Sequence, residues 1–259
     1  MENILEESLK LAATEPAHRP NFYRDLLEAT IYVLGSIAKE DEGLSLETGS
    51  KVNLIHWKKQ DDSPIIPFFS SLKVLKQSIE SEQSYLQLPA KVLFEMTLGT
   101  NLILNPRSSY GKEFFAEEIK NLLSNGVNQQ AVQRTIQKET KVLLGQPAIY
   151  PSQMVESLKI LLAKHENAKR AFLALMHDAS IDDKPHLVIG IDATGDIELV
   201  LREAGSVIID TSPKGEAVDL YRVSENDTGL SAYLLKTTPF YERKESSKLR
   251  SFFSFGKKT

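Results

Sequence analysis

Two carboxylates and a hydroxyl follow an apolar run in the second half of the chain. The run 187–191 is succeeded by Asp192, Thr194 and Asp196, and open α/β sheets bind ligands at the carboxyl ends of their strands. These three residues are a candidate ligand cleft, and Asp192 and Asp196, with His186, could hold a metal ion. However, a strand of this length would hold His186 roughly 20 Å from Asp192, and Asp or Thr before a helix commonly caps it. We favour the capping interpretation, and we expect no metal site and no cofactor.

A glycine–lysine pair in the first half resembles part of a phosphate-binding loop. Gly111 and Lys112 follow Pro106 at the spacing of such a loop. Pro106, however, has no N–H to donate to a phosphate, and Glu113 places a negative charge where a Ser or Thr hydroxyl would meet Mg²⁺. The segment is better interpreted as a strand end, two turns and a helix, so nucleotide binding is not expected.

The chain lacks the residues on which several other classes of enzyme depend. The chain contains no cysteine, which excludes thiolate nucleophiles, disulfides and thiolate zinc sites. It also contains no Gly-x-Ser-x-Gly, His-x-x-x-His or Gly-x-Gly-x-x-Gly motif. Whether the protein is an enzyme is left open, and a non-catalytic role is favoured.

Charge and hydropathy limit the kinds of partner and the cellular location that are expected. The 259 residues carry a net charge of -4 and are 41% hydrophobic, a balance that argues against a protein built to coat nucleic acid. The N-terminus has acidic residues where a signal peptide would have basic ones, and no apolar run approaches the ~18 residues that cross a bilayer. These features predict a cytoplasmic protein with no nucleic-acid partner.

Aromatic residues beside prolines or cations are the candidate contacts to a protein partner, because rigid rings suit interfaces. The candidates are Phe68, Phe69, Tyr150, Phe240, Tyr241, Arg243, Phe252 and Phe253. For the first three, burial between the two domains of the same chain is an alternative with at least as much weight. The last two belong to a basic, aromatic tail, residues 239–259, that could dock on its own domain, on a partner or on an anionic membrane surface.

Apolar patterning predicts the elements that position these residues. Helical and strand-like segments alternate twice along the chain, which predicts two tandem α/β domains with mixed sheets, followed by the tail. The polar stretch 125–140 separates the two alternations. We therefore expect one domain over residues 1–130 and a second over residues 138–259, which includes the tail.

Five phrases of the sequence, in order, resemble the bacterial SseB family, the "enhanced serine sensitivity" proteins. They are Phe68-Phe69-Ser70-Ser71, residues 104–119, residues 145–151, residues 186–192 and Pro239-Phe240-Tyr241-Glu242-Arg243. The resemblance implies an N-terminal and a C-terminal SseB domain and a link to serine sensitivity. It brings no catalytic residues with it.

Three hypotheses about function follow. The favoured one is a cytoplasmic binding or regulatory module that acts through an unidentified protein partner, because aromatic segments are plentiful while titratable clusters are sparse. The second is a small-molecule binder or an enzyme with a cleft near Asp192. The third is peripheral membrane attachment through the tail.

Overall fold

The computed structural model describes residues 3–37, 52–126, 142–178, 184–212 and 217–244. The helices there are α1 (Ile4–Thr14), α2 (Arg19–Glu28), α3 (Leu72–Ser78), α4 (Ala90–Met96), α5 (Ala116–Asn125), α6 (Ser152–Lys164), α7 (Ile197–Thr211) and α8 (Leu230–Leu234), with a 3-10 turn at Pro16–His18. The strands are β1 (Thr30–Ile37), β2 (Val52–Leu54), β3 (Trp57–Lys58), β4 (Pro64–Phe69), β5 (Tyr85–Pro89), β6 (Leu102–Leu104), β7 (Lys112–Phe114), β8 (Leu143–Gly145), β9 (Ala168–His177), β10 (His186–Ala193), β11 (Val218–Arg222) and β12 (Tyr241–Glu242).

The first sheet is mixed and is covered on both faces. Its order is β2-β1-β4-β6-β7, with β5 also paired to β1 and β3 to β4. Of these pairings between described strands, only β4–β6 is parallel. Successive side chains of a strand point to opposite faces: Phe68 joins the large core with α1, α2, α4 and α5, and Phe69 joins a smaller cluster with α3. This double coverage explains why β4 is apolar at nearly every position.

The second sheet has the order β11-β10-β9-β12, with β8 also paired to β9. The β10–β11 pairing is parallel and the others are antiparallel. One of its cores joins Phe172 and Met176 of β9 to Leu230 and Leu234 of α8. At Gly190 of β10 an added Cβ would meet the Leu234 side chain at 2.5 Å, so the glycine lets α8 approach the sheet closely.

Backbone contacts divide the chain into two compact units. The first unit comprises residues 1–131 together with 202–211, which is the C-terminal part of α7, and the second comprises residues 132–201 and 212–259. The predicted domain boundary between residues 130 and 138 falls outside the described residues and stays a prediction. Nowhere in the part of the chain that the structure describes is a helix both long and apolar enough to cross a membrane.

The predicted fold class, two tandem α/β domains with mixed sheets, is confirmed, and two of the predicted elements are wrong. The β-branched run Val207-Ile208-Ile209 predicts a strand, but these residues lie within α7. There Val200, Leu201, Ala204 and Val207 are buried at helical spacing, so the buried stripe outweighs the strand preference of β-branched residues. Residues 112–114 were expected to be loop and helix but form β7, which pairs with β6.

The turn between β11 and α8 is stabilised by one carboxylate, that of Asp227. The stability of the protein should therefore depend on whether this group is ionised. Asp227 accepts hydrogen bonds from the Tyr221 hydroxyl at 2.5 Å and from the backbone N–H of Gly229 at 3.0 Å. The Tyr221 hydrogen bond first, and then the Gly229 one, lower the pKa of Asp227 to about 2. Because the folded-state pKa lies below the ordinary value of 3.8, the stabilisation is complete above about pH 4 and is lost as pH falls through 2.

We therefore expect Asp227→Asn to lower the free energy of unfolding by about 1 kcal/mol at pH 7. The difference from the unsubstituted protein should shrink steadily between pH 4 and pH 2, as measured by urea unfolding at each pH. A difference that stays constant over that range would contradict the assignment.

Candidate functional site

The segment that leads from β8 into α6 is fixed at both ends. Gln146, directly after β8, donates its side-chain N–H to the carbonyl of Leu173 on β9 at 3.2 Å. At the other end the carbonyl of Pro151 accepts from the N–H of Val155, at 3.0 Å, in the first turn of α6. We call residues 146–151 the proline-framed loop, because Pro147 and Pro151 restrict its backbone as well.

The middle of the proline-framed loop presents apolar side chains to solvent. Ile149 is 87% exposed and Tyr150 is 51% exposed, and among the described residues the Tyr150 hydroxyl has no hydrogen-bond partner. Exposed apolar residues that stand on an anchored backbone lose little conformational entropy when they bind. The loop therefore has the physical character of a preorganised contact point.

The predicted contact residues Phe240, Tyr241 and Arg243 lie against their own unit. Phe240 donates its backbone N–H to Ala171 of β9 at 2.8 Å, and β12 continues this pairing. The Tyr241 hydroxyl donates to the carbonyl of Leu162 at 3.2 Å. Thus the first residues of the tail dock on their own domain, which is one of the alternatives that the sequence left open.

Arg243 caps the end of α6. Its guanidinium donates to the carbonyls of Leu162 and His165 at 3.1 and 2.7 Å, and its Nε donates to Ala168 at 2.9 Å. Leu162 and His165 lie at the C-terminal end of α6, where carbonyls lack further helical N–H partners, and Ala168 begins β9. Arg243 thus ties the end of the helix to the start of the strand. The Arg243 guanidinium therefore makes its hydrogen bonds within its own domain. Of the other tail candidates, Phe252 and Phe253 lie outside the described residues.

Phe68 and Phe69 are both 0% exposed, so neither ring is a surface contact, and each is buried in a cluster of first-unit residues. Phe68 packs edge-on against Phe94, with the ring centroids 5.9 Å apart, and Phe69 packs against Trp57. The physical reason is the double coverage of the first sheet, which buries both faces of β4.

The predicted cleft residues of the second unit have local partners. Both Nε and Nη2 of Arg170 donate to Asp192 Oδ2, at 2.9 and 2.7 Å. Asp196 accepts from the N–H of Leu199 at 3.3 Å in the first turn of α7, as the capping interpretation predicts, and the backbone carbonyl of Thr194 accepts from Asn167. Over the described ranges there is no group of three or more His, Cys, Asp or Glu residues that could hold a metal ion.

His186 lies apart from these residues and pairs with Asp219. Its Nε2 lies 3.0 Å from Asp219 Oδ2, and both side chains are buried. The pair joins the beginnings of β10 and β11.

Tyr150 is among the contact residues predicted from the sequence, whereas Ile149, the most exposed large apolar residue in the described part of the second unit, is not. The signal was present, because Ala148-Ile149-Tyr150 is an apolar triplet between two prolines. An apolar triplet alone, however, does not distinguish a buried strand from an exposed loop.

Comparison with known proteins identifies relatives along nearly the whole chain. The profile described as "SseB protein N-terminal domain" matches residues 5–121, and that described as "SseB protein C-terminal domain" matches residues 136–243. "Protein SseB" of Escherichia coli (strain K12) and "Protein SseB" of Shigella flexneri are each 40% identical to the chain over 251 residues, which are 96% of this chain and 96% of each relative. No solved structure matches.

Proposed function

The chain belongs to the SseB family, and from that premise we propose that it is a cytoplasmic binding or regulatory module that acts through a protein partner. The regulated process is the sensitivity to serine that the family's name records. The proposal is carried by one observation, the exposure of Ile149 and Tyr150 on the anchored proline-framed loop.

The chemistry of the loop defines the partner's side of the contact. Ile149 offers an aliphatic side chain that is almost fully solvated, so a partner gains the most by burying it in an apolar pocket. Tyr150 adds a ring and a hydroxyl donor, which calls for a neighbouring carbonyl or carboxylate acceptor. We therefore propose a protein partner with an apolar pocket and a hydrogen-bond acceptor at its rim.

The test compares three forms of the full chain as bait in affinity purification from native cells. They are the unsubstituted chain, the double variant Ile149→Ser/Tyr150→Ser, and the control Leu98→Ser, which changes an apolar residue that is 58% exposed in the first unit. A protein retained by the first and third baits is then purified, and its affinity for each form is measured by calorimetry. We expect the double variant to bind about 30-fold more weakly or worse, because central contact residues contribute about 2 kcal/mol or more.

Stability separates a lost contact from a lost fold. Since all three substituted residues are exposed, each variant should unfold within about 0.5 kcal/mol of the unsubstituted protein. Equal affinity of the double variant and the Leu98→Ser control for the purified partner would refute the proposal, as would the absence of any protein that survives purification and binds directly.

A further inference from the structure

A cleft of about 300 Å³ opens in the first unit, whereas the proline-framed loop belongs to the second. Its walls come from α1, α2, the turn before β7 and the C-terminal part of α7. The lining residues are Leu9, Ala12, Ala13, Arg19, Phe22, Tyr23, Gly111, Lys112 and Asp210, all of which belong to the first unit. The size is at the lower end of the range for small-molecule sites.

One side of the cleft carries an ion pair with unused hydrogen-bonding capacity. Arg19 Nη1 lies 2.7 Å from Asp210 Oδ2, yet this buried oxygen accepts no hydrogen bond. The Arg19 side chain is 33% exposed and that of Asp210 is 14% exposed. Arg19 also donates from Nε to the carbonyl of Ala12 at 3.4 Å, but among the described residues its Nη2 has no acceptor. A guanidinium has five donors, so Arg19 has donors left for a ligand. Asp210 Oδ2 is buried, so a ligand meets this carboxylate through the part of the side chain that is exposed in the cleft.

The other side carries Lys112, which has partners in the fold and is still partly exposed. Its ammonium donates to the carbonyl of Glu113 at 3.4 Å and lies 4.8 Å from the centroid of the Phe114 ring. Lys112 Nζ lies 2.9 Å from Glu118 Oε1, and the lysine side chain remains 27% exposed. The same Glu118 oxygen accepts from the Tyr23 hydroxyl at 3.1 Å. Burial, and then the negative charges of Glu118 and Asp210, raise the pKa of Tyr23 far above its ordinary range. Tyr23 thus stays a neutral donor, and Glu118 Oε1 is engaged by both Tyr23 and Lys112.

The remaining wall is apolar and shallow. Leu9, Ala12, Ala13 and Phe22 offer hydrocarbon surface without polar side-chain atoms, and the two alanines leave the room that a small ligand side chain needs. The lining therefore combines two cations, one carboxylate with spare acceptor capacity, and a small apolar surface.

We infer that this cleft binds a small free α-amino acid. The ligand carboxylate lies against Arg19 and Lys112, its ammonium donates to Asp210, and its side chain lies against Ala12 and Ala13. A simple dianion such as phosphate is disfavoured for two reasons. The Asp210 carboxylate repels it, and the ion pair with Asp210 already neutralises part of the positive charge of Arg19. A simple cation is disfavoured by the two basic side chains. A zwitterion satisfies both signs of charge at once.

The test is calorimetry on the full chain with free amino acids as probes. Glycine, L-alanine, L-serine and the other proteinogenic L-amino acids are titrated one by one, followed by the N-acetyl and the methylamide derivatives of each one that binds. We expect at least one free amino acid to bind, and both derivatives, which lack the ammonium or the carboxylate, to bind at least about tenfold more weakly. Inorganic phosphate is titrated in parallel and is expected not to compete.

Two matched variants locate the site without removing any charged contact. Ala13→Leu fills the cleft from an exposed helix position, and Ala163→Leu makes the same change at an exposed position of α6 in the second unit. Binding should weaken at least about tenfold in the first variant and stay unchanged in the second. Binding that survives in Ala13→Leu, derivatives that bind as well as the free amino acid, phosphate that competes, or no binding by any amino acid would each overturn the inference. None of these results bears on the partner test, which concerns a loop in the other unit.

Discussion

Replacing Phe68 by alanine is expected to lower the free energy of unfolding by about 3–5 kcal/mol, the usual cost of removing a buried aromatic side chain. The ring is 0% exposed and lies at the centre of a cluster with Phe94 and Phe114, whose centroids are each 5.9 Å from it. Since Phe94 and Phe114 also contact each other at 5.6 Å, the void left by the substitution cannot close without moving three elements.

Urea unfolding of Phe68→Ala beside Tyr150→Ala measures this effect against a matched control. Tyr150 was predicted from the sequence to play the same role as Phe68, but it is 51% exposed, so its removal should change stability by no more than about 0.5 kcal/mol. Similar losses in the two variants would contradict the described burial. For the same reason, a loss of partner binding in a Phe68 variant would be a consequence of unfolding and not of a lost contact between Phe68 and the partner.

Gly111→Ala is expected to destabilise the first unit by about 2–3 kcal/mol, in the upper part of the cost of overpacking. A Cβ at this position would lie 2.7 Å from the carbonyl oxygen of Asn105 and 2.9 Å from that of Leu104. Neither oxygen can move freely, because Asn105 is buried in the left-handed conformation with a φ of 51°. Its side chain also accepts from the Ser70 N–H at 2.9 Å.

The control for Gly111→Ala is the same substitution at Gly145 of β8, where an added Cβ meets no atom within 4 Å. Thermal unfolding should show a large drop in Tm for the first variant and almost no change for the second. Equal Tm values would show that the turn before β7 can relax, and would contradict the close approach of Gly111 to β6. Gly111 thus serves a backbone contact, which accounts for the glycine–lysine pair without any phosphate loop.

Local patterning was enough to predict most of the elements. The apolar periodicity of residues 152–164 predicts α6 with the bounds that the structure shows, and the continuous apolar run at 65–69 predicts β4 to within a residue. Two alternations of such segments predict two α/β domains with mixed sheets. Periodicity predicts these elements because a helix or strand that is buried on one face, or on both, has apolar residues at regular positions along the sequence.

Pairings between distant segments could not be predicted in the same way. The sequence shows that Phe68, Tyr150 and Arg243 are aromatic or cationic, but only the tertiary structure decides that the first is in a core, the second is in solvent and the third caps α6. β7 was missed because its three residues become a strand only through pairing with β6.

The charged cleft depends most strongly on the tertiary structure. Arg19, Lys112 and Asp210 share no motif and lie far apart along the chain, and they come together because α1, α2, β7 and the C-terminal part of α7 pack within one unit. The sequence by itself determined most of the elements, the fold class and, through the absence of cysteine, the exclusion of thiolate chemistry. Which side chains meet was decided by packing, because the free energy of a contact depends on burial and geometry that no single segment specifies.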